Sequence, residues 1–282
     1  MRILYISMLC ERASKQYEIT NQSCEKADDS GKWLEKRLQE QGITTDYEVS
    51  YINIAQGDSL PDMEQASAYD GIVLGGTFHD VMCENLNPVG APWQRPLNEW
   101  LRKQRSTKQP LLGICGGHQA MAVCAGGAVT RRGDGKGLAI GSLPVTLTIQ
   151  GQNHPLFSGI GNSTTNKQTT PNPQSSSSLP PPQEAVFHFG NGDEVSVVPE
   201  MAQVLATSSD SPAVALDYGG DSYWYSTQFH PEASHTSFQY WVDHGVIKPK
   251  PPPHAAYRET RSGRVLLANF IQCCIERGFT AV

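Results

Sequence analysis

The chain has 282 residues, with 28 acidic against 22 basic side chains and a formal charge of −6. That length buries a sizeable core as one large α/β domain, or as one domain with insertions. The acidic balance argues against a nucleic-acid partner, which needs clustered Lys and Arg, and no stretch is long and apolar enough to span a membrane.

In chain order, the apolar start Ile3–Leu9 lacks the long h-region and small-residue cleavage site of a signal peptide and predicts a first core strand. A polar loop and a helix over Ser30–Gln39 follow, with Trp33, Leu34 and Leu38 as its apolar stripe and Gly42 as its stop. Tyr47–Asn53 alternates as a second strand, and Gly71–Leu74 is a short buried strand ending in a Gly75-Gly76 turn. Pro92-Trp93 opens a helix through Leu97, Trp100 and Leu101, which leads to a strand at Leu111–Ile114. Strands alternating with helices imply right-handed parallel crossovers, with ligands bound at the carboxyl ends of the strands. Gly75-Gly76 and Cys115 both fall at such ends.

After Cys115 the pattern turns to β. Leu138–Ile149, Ala185–Phe189, Glu194–Val198, Gln203–Thr207, Ala213–Asp217 and Tyr223–Gln228 are expected to extend the sheet and bring His230 back to Cys115. Arg131-Arg132 and the Lys248/Lys250 pair read as solvated turns. Two insertions interrupt a single domain spanning residues 1–282. Asn162–Gln183, rich in Ser, Thr, Pro and Gln, cannot bury enough surface to offset its ordering entropy and is expected to be a mobile loop. Val246–Arg261, with Lys248-Pro249-Lys250-Pro251-Pro252-Pro253, reads as a second mobile, extended loop before a final helix containing Val265–Ile271.

The chemistry concentrates in three short motifs. Gly113-Ile114-Cys115-Gly116-Gly117-His118-Gln119 joins a buried strand to a helix of small residues. Such a turn lifts one side chain out at the strand end, as in a nucleophile elbow, and the helix dipole there favours thiolate. The competing reading is a small buried cysteine in an ordinary βα turn. Gln228-Phe229-His230-Pro231-Glu232 ends an aromatic strand. Residues two apart in extended chain share a side, and Pro231 biases His230 towards extended geometry, so Glu232 can orient the His230 imidazole. By itself, His-x-Glu is more often a surface pair than a catalytic one; together with the elbow the catalytic reading prevails. Glycines at Gly75-Gly76 let backbone N–H groups approach a ligand; the N–H groups of Gly76 and Gly116 are candidates to face one developing oxyanion. Most Gly-Gly pairs are merely turns.

Seven cysteines (Cys10, Cys24, Cys83, Cys115, Cys124, Cys273 and Cys274) have no framework spacing and are odd in number, which points to a reducing cytosol. There is no Cys-x-x-Cys and no His-Glu-x-x-His, so neither a metal nor another cofactor is expected. His79-Asp80 reads as a polar loop at a pocket mouth, and His118 as a packing or hydrogen-bonding residue.

The three motifs, in this order and approximate spacing from Gly71 to Glu232, resemble those of the class I (triad-type) glutamine amidotransferases, with the match closest to stand-alone members such as the amidotransferase subunit of GMP synthase and the γ-glutamyl peptidases. The resemblance implies a flavodoxin-like α/β fold, a mixed, mostly parallel sheet flanked by helices, with a β-rich C-terminal half of the same domain. It implies a Cys115–His230–Glu232 triad attacking the γ-carbonyl of glutamine or a γ-glutamyl amide, with release of glutamate from a γ-glutamyl thioester. It also puts Gln119 beside the bound substrate and makes Gly75, Gly76 and Gly116 the backbone lining of the pocket. A short His-Gly-Asp-like substrate-holding segment of the family corresponds to His188–Asp193, which carries an extra residue; Asp193 is the candidate contact there, and a hairpin turn at Gly190-Asn191-Gly192 is the alternative.

Four functions remain open from the sequence. They are a self-contained γ-glutamyl hydrolase or peptidase, a glutaminase subunit passing ammonia to a separate synthase, an inactive interaction protein keeping the fold, and a different cysteine hydrolase of related fold. The intact triad argues against the third. Gly116 directly after Cys115, with a distant His-Pro-Glu, argues against the fourth.

Overall fold

Alternate residues of β1 (Arg2–Met8) enter different cores: Ile3 and Tyr5 pack on one side, Leu4, Ile6 and Met8 on the other. The same division holds for Val73 against Ile72 and Leu74 in β3 (Gly71–Thr77), and for Tyr225 against Trp224 in β11 (Trp224–Thr227). Strands buried on both faces demand helices on both faces, and the chain supplies them. The computed structural model describes residues 1–9, 30–40, 47–77, 92–133, 137–161, 183–220 and 223–280. The expected Gly42 stop, the His79-Asp80 loop and all but the last residue of the 162–183 insertion lie outside them.

One face carries Leu34 and Leu38 of α1 (Ser30–Glu40) and Leu266, Leu267, Phe270 and Ile271 of α7 (Ser262–Thr280). The other carries Leu97, Trp100 and Leu101 of α3 (Gln94–Gln104) and Ala120, Met121 and Ala122 of α4 (Gly116–Cys124). A short α2 (Met63–Ser67) starts on a capping box between Asp62 and Gln65.

The remaining strands are β2 (Glu48–Asn53), β4 (Leu111–Ile114), β5 (Ala128–Arg131), β6 (Ala139–Leu147), β7 (Gln183–Asn191), β8 (Asp193–Val197), β9 (Gln203–Thr207) and β10 (Ala215–Asp217). The central sheet has the order β2-β1-β3-β4-β11-β10-β9-β6-β7. Its first five strands pair in parallel, and the rest pair antiparallel. The parallel half follows the flavodoxin-like order, with β11 as its fifth strand. The fold is thus the mixed, mostly parallel α/β architecture expected, with the β-rich half joined to the same sheet.

Four expectations need correction. The Gly75-Gly76 turn does not form; β3 runs through it to Thr77. The pairs Ile6↔Leu74 and Met8↔Thr77 advance β1 by two residues and β3 by three, so a bulge absorbs the extra residue. Gly190–Gly192 is not a hairpin, since β7 pairs with β6 while β8 leaves to pair with β5 in a separate two-stranded sheet. Arg131-Arg132 is no solvated turn either: Arg131 sits in β5 and pairs with Asp193 at 3.1 Å. The Arg132 side chain is 2% exposed, bonded to Asp210 and 3.5 Å from Glu194. Arg131 with Asp193 and Arg132 with Glu194 place opposite charges across the paired strands β5 and β8. Finally, β6 stops at Leu147, because the Thr148 hydroxyl accepts from Gly151 N and caps α5 (Ile149–Gln152).

The Val246–Arg261 segment is irregular, with one 3₁₀ turn at Pro253–Ala255. It is pinned by buried Ile247, Ala255 and Tyr257, and the Tyr257 hydroxyl donates to the Phe189 carbonyl at 2.6 Å. Ile247 and Tyr257 join Phe238, Trp241 and Val242 of α6 (His235–Asp243), and Ala233, in a third small core.

Close approach between α4 and β3 depends on glycine. A Cβ on Gly117 would fall inside contact distance of the Leu74 carbonyl oxygen, which is backbone and cannot swing away. Gly117→Ala is expected to cost about 1–3 kcal/mol as an overpacking defect. Thermal denaturation checks this, and an unchanged midpoint would contradict it.

Candidate active site

The site lies where β3, β4 and β11 end together. Register pairs Leu74↔Gly113 and Ser226↔Gly113, and Cys115 N donates to Thr227 O at 2.7 Å. Two residues past Leu74 and Gly113, and four past Ser226, the chain delivers Gly76, Cys115 and His230 to one rim.

Cys115 has φ 53° and ψ −103°, a region that L side chains rarely adopt, directly before the first turn of α4. This is the sharp elbow expected from the sequence. The elbow is feasible because its flanks are glycine: a Cβ on Gly116 would strike Thr77, and one on Gly113 would strike the Gly117 backbone. Cys115 is buried, 6% exposed, yet it opens onto a cavity of about 140 Å³.

His230 follows β11. Its backbone N–H donates to the His188 carbonyl at 2.9 Å, and its ring meets Phe238 edge-on at 5.0 Å. Nδ1 is 2.8 Å from Glu232 Oε1, and the imidazole shares the space beside Gly76 with Cys115, close enough for the sulfur to raise its proton affinity. With Nδ1 committed to Glu232, Nε2 is the ring nitrogen left for proton exchange with the sulfur. Burial pushes the His230 pKa down, but the Glu232 carboxylate and then Cys115 outweigh it and raise it to about 10. A sulfur, an imidazole and a carboxylate are thus gathered at one rim, all three buried.

The other expected residues divide. Gly76 faces the pair: a Cβ there would lie 3.4 Å from His230 Cε1 and 3.7 Å from Cys115 Cβ. Gly116 abuts the Thr77 backbone beside it. Gln119 and Asp193 line the cavity with Cys115, and Gln119 Nε2 donates to Asp193 O at 3.1 Å and to Gln228 Oε1 at 3.2 Å. Gly75 is elsewhere, packed against the Tyr5 hydroxyl where any Cβ would collide. His188 also stays off the cavity wall, buried with Nδ1 3.0 Å from Ser142 Oγ. Burial, helped by Arg37, His230 and His235, pushes its pKa down to about 3. Among the described residues no His, Cys, Asp and Glu cluster could hold a metal ion.

His118 points away from the thiol, as expected. Its Nδ1 is 2.7 Å from Ser226 Oγ and its Nε2 3.2 Å from the Ala213 carbonyl; burial lowers its pKa from 6.5 to about 4, partly offset by that carbonyl. A folded pKa below the unfolded one means the unfolded chain takes up the proton first as pH falls. The His118 contribution is therefore complete above about pH 6.5 and lost between there and pH 4. The gap in urea midpoint between wild type and His118→Gln is expected to narrow from pH 7 to pH 4.5; a constant gap would contradict this.

Three elements of the site were not anticipated. Thr77 and Lys248 line the cavity, the latter on the Pro-rich segment. Arg37 of α1 reaches under the His230 turn and donates from Nη2 to the Ala233 carbonyl at 2.8 Å. The signal for Arg37 was its place in the stripe: it lies three residues after Leu34 and four after Trp33, where a solvated charge does not belong.

The family model for glutamine amidotransferase class-I matches residues 27–248, a span that includes Cys115, His230 and Glu232. γ-Glutamyl peptidase 3 of Arabidopsis thaliana is 28% identical over 173 residues, covering 61% of this chain and 58% of that protein. A glutamine-hydrolysing GMP synthase of Xylella fastidiosa is 28% identical over 203 residues, 72% of this chain and 31% of the relative. One from Streptococcus thermophilus is 30% identical over 129 residues, 46% of this chain and 20% of the relative. The chain thus spans a fifth to a third of the length of these synthases. In structure it is similar to a glutamine amidotransferase of Thermotoga maritima, with TM-score 0.62 and 19% identity over 98% of this chain and 96% of that one. The chain belongs to the class-I glutamine amidotransferase family.

Proposed function

We propose that this chain hydrolyses the γ-amide of glutamine or of a γ-glutamyl compound, with Cys115 as nucleophile, His230 as general acid and base, and Glu232 holding the imidazole. The observation that carries the reading is the strained Cys115 elbow beside Gly76 with a His230 already paired to Glu232. Sulfur attacks the γ-carbonyl carbon, and Gly76 and Gly116 N–H groups receive the oxyanion. The tetrahedral species collapses with cleavage of the C–N bond, and the imidazolium gives its proton to the leaving amine or ammonia. A water molecule, deprotonated by His230, then attacks the γ-glutamyl thioester; glutamate leaves and the proton returns to the Cys115–His230 pair. Gln119 and Asp193, on the wall of the same cavity, are the proposed substrate contacts, and Gly75 supports the rim through its packing on Tyr5. The domain is a single unit over 1–282. Cys115, Cys273 and Cys274 are free thiols, which supports work in a reducing cytosol.

The stand-alone hydrolase is favoured because the relative called γ-glutamyl peptidase matches over more than half its own length. The synthase names of other relatives support a second reading, ammonia donation to a partner. Glutamate release by the purified chain, measured on γ-glutamyl dipeptides and on glutamine side by side, tests both. Strong activity on dipeptides is expected. Weak glutaminase activity that rises only when a synthase is added would favour the second reading.

A further inference from the structure

Arg37 is 3% exposed, a depth at which a guanidinium is costly unless its hydrogen bonds are made. Nη1 bonds Glu40 Oε2 at 2.9 Å, and that glutamate is partly in solvent. Nη2 gives a charge-assisted bond to the Ala233 carbonyl at 2.8 Å, in a buried position 196 residues further along the chain. Ala233 directly follows Glu232, whose Oε1 holds His230 Nδ1 at 2.8 Å and whose Oε2 is buried without a hydrogen-bond partner among the described residues. The Glu232 side chain thus has one anchoring bond of its own, and the backbone beneath it is held by Arg37.

We infer that Arg37 is a positioning residue for the His230–Glu232 pair, acting through the Ala233 carbonyl to fix the backbone from which Glu232 meets the imidazole. This rests on the reading that the pair does the proton transfer. Nothing about the residue touches the cavity: it lies behind the pair, on α1, and acts through another group. A helix from the first half of the fold therefore sets the geometry of a pair delivered by its last parallel strand.

The charged and titratable groups around His230 make the test one of sign. Cys115 and Glu232 face the ring directly and raise its proton affinity. His188 of β7 lies beside it, and Arg37 and His235 of α6 lie behind His188, the latter paired with Glu259 at 2.8 Å. If Arg37 were only a nearby cation, its removal would raise the His230 pKa. If it positions Glu232, its removal loosens the carboxylate and lowers it.

The experiment is an NMR titration of ¹³C-histidine-labelled full-length protein, with the His230 signal assigned by its loss in His230→Gln. Arg37→Met is expected to lower the His230 pKa by about one unit, a tenfold loss of proton affinity, and to reduce kcat more than it changes KM. Arg37→Lys, which keeps a charged donor, is expected to recover part of both. An unmoved or raised His230 pKa in folded Arg37→Met would overturn the inference. Should the Met variant not fold, Arg37→Gln carries the same test, a lowered pKa supporting the inference and an unmoved or raised one overturning it. If wild type turns over no γ-glutamyl compound, the proposed reaction falls, while the titration still decides the role of Arg37.

Discussion

Replacing His230 with Ala is expected to slow glutamate release by about 10²–10⁴-fold, the usual worth of a positioned general acid–base group. The imidazole is paired with the Glu232 carboxylate and stands beside Cys115, so its loss removes the proton acceptor and the leaving-group donor together. Ala also strands a carboxylate that is 1% exposed, which should lower stability as well. His230→Asn separates the two effects. Its amide nitrogen lies near the position of Nδ1 and can still donate to Glu232, but nothing remains in the place of Nε2. The Asn variant is expected to be as slow as Ala yet to melt closer to wild type. Steady-state kinetics with thermal melts checks this; an Asn variant within about tenfold of wild-type rate would remove His230 from the proton transfer.

Glu232→Gln is expected to act through pH as well as rate. The carboxylate is the largest influence raising the His230 pKa, against burial, which lowers it. A neutral amide withdraws that support, so the alkaline limb of kcat/KM, set by loss of the imidazolium that partners the thiolate, moves to lower pH. The rate should fall by about 10²–10⁴-fold near neutrality, comparable with loss of the orienting carboxylate in other triads. An alkaline limb that stays in place, or moves up, would show that Glu232 does not set the charge of His230.

The parallel half of the fold was legible because its strands are buried on both faces and read as apolar runs broken by glycine and by amphipathic helices. Ile3–Leu9, Gly71–Leu74 and Leu111–Ile114 all fall within or beside their strands. The elbow was legible for a related reason: Gly113, Gly116 and Gly117 mark where backbone must pass backbone, and their contacts with Met121, Thr77 and Leu74 show what each side chain would strike. What local pattern could not express was pairing. β5 and β8 look like other short alternating runs, and nothing in either run alone shows that they pair with each other, with Arg131 and Arg132 facing Asp193 and Glu194 across the pair. The bulge at Gly75-Gly76 is likewise a property of two strands in register rather than of either sequence. Arg37 was overlooked because its partner is a backbone carbonyl far along the chain, which no spacing rule connects.

The most direct test of the central claim is capture of the γ-glutamyl thioester. Wild-type protein is mixed with a library of γ-glutamyl compounds, quenched in acid, and examined by intact mass and peptide mapping. The expected result is a mass gain of one γ-glutamyl group confined to the peptide containing Cys115, and absent from Cys115→Ala. Glutamate release that proceeds equally in Cys115→Ala, or an adduct carried on any other residue, would contradict the account.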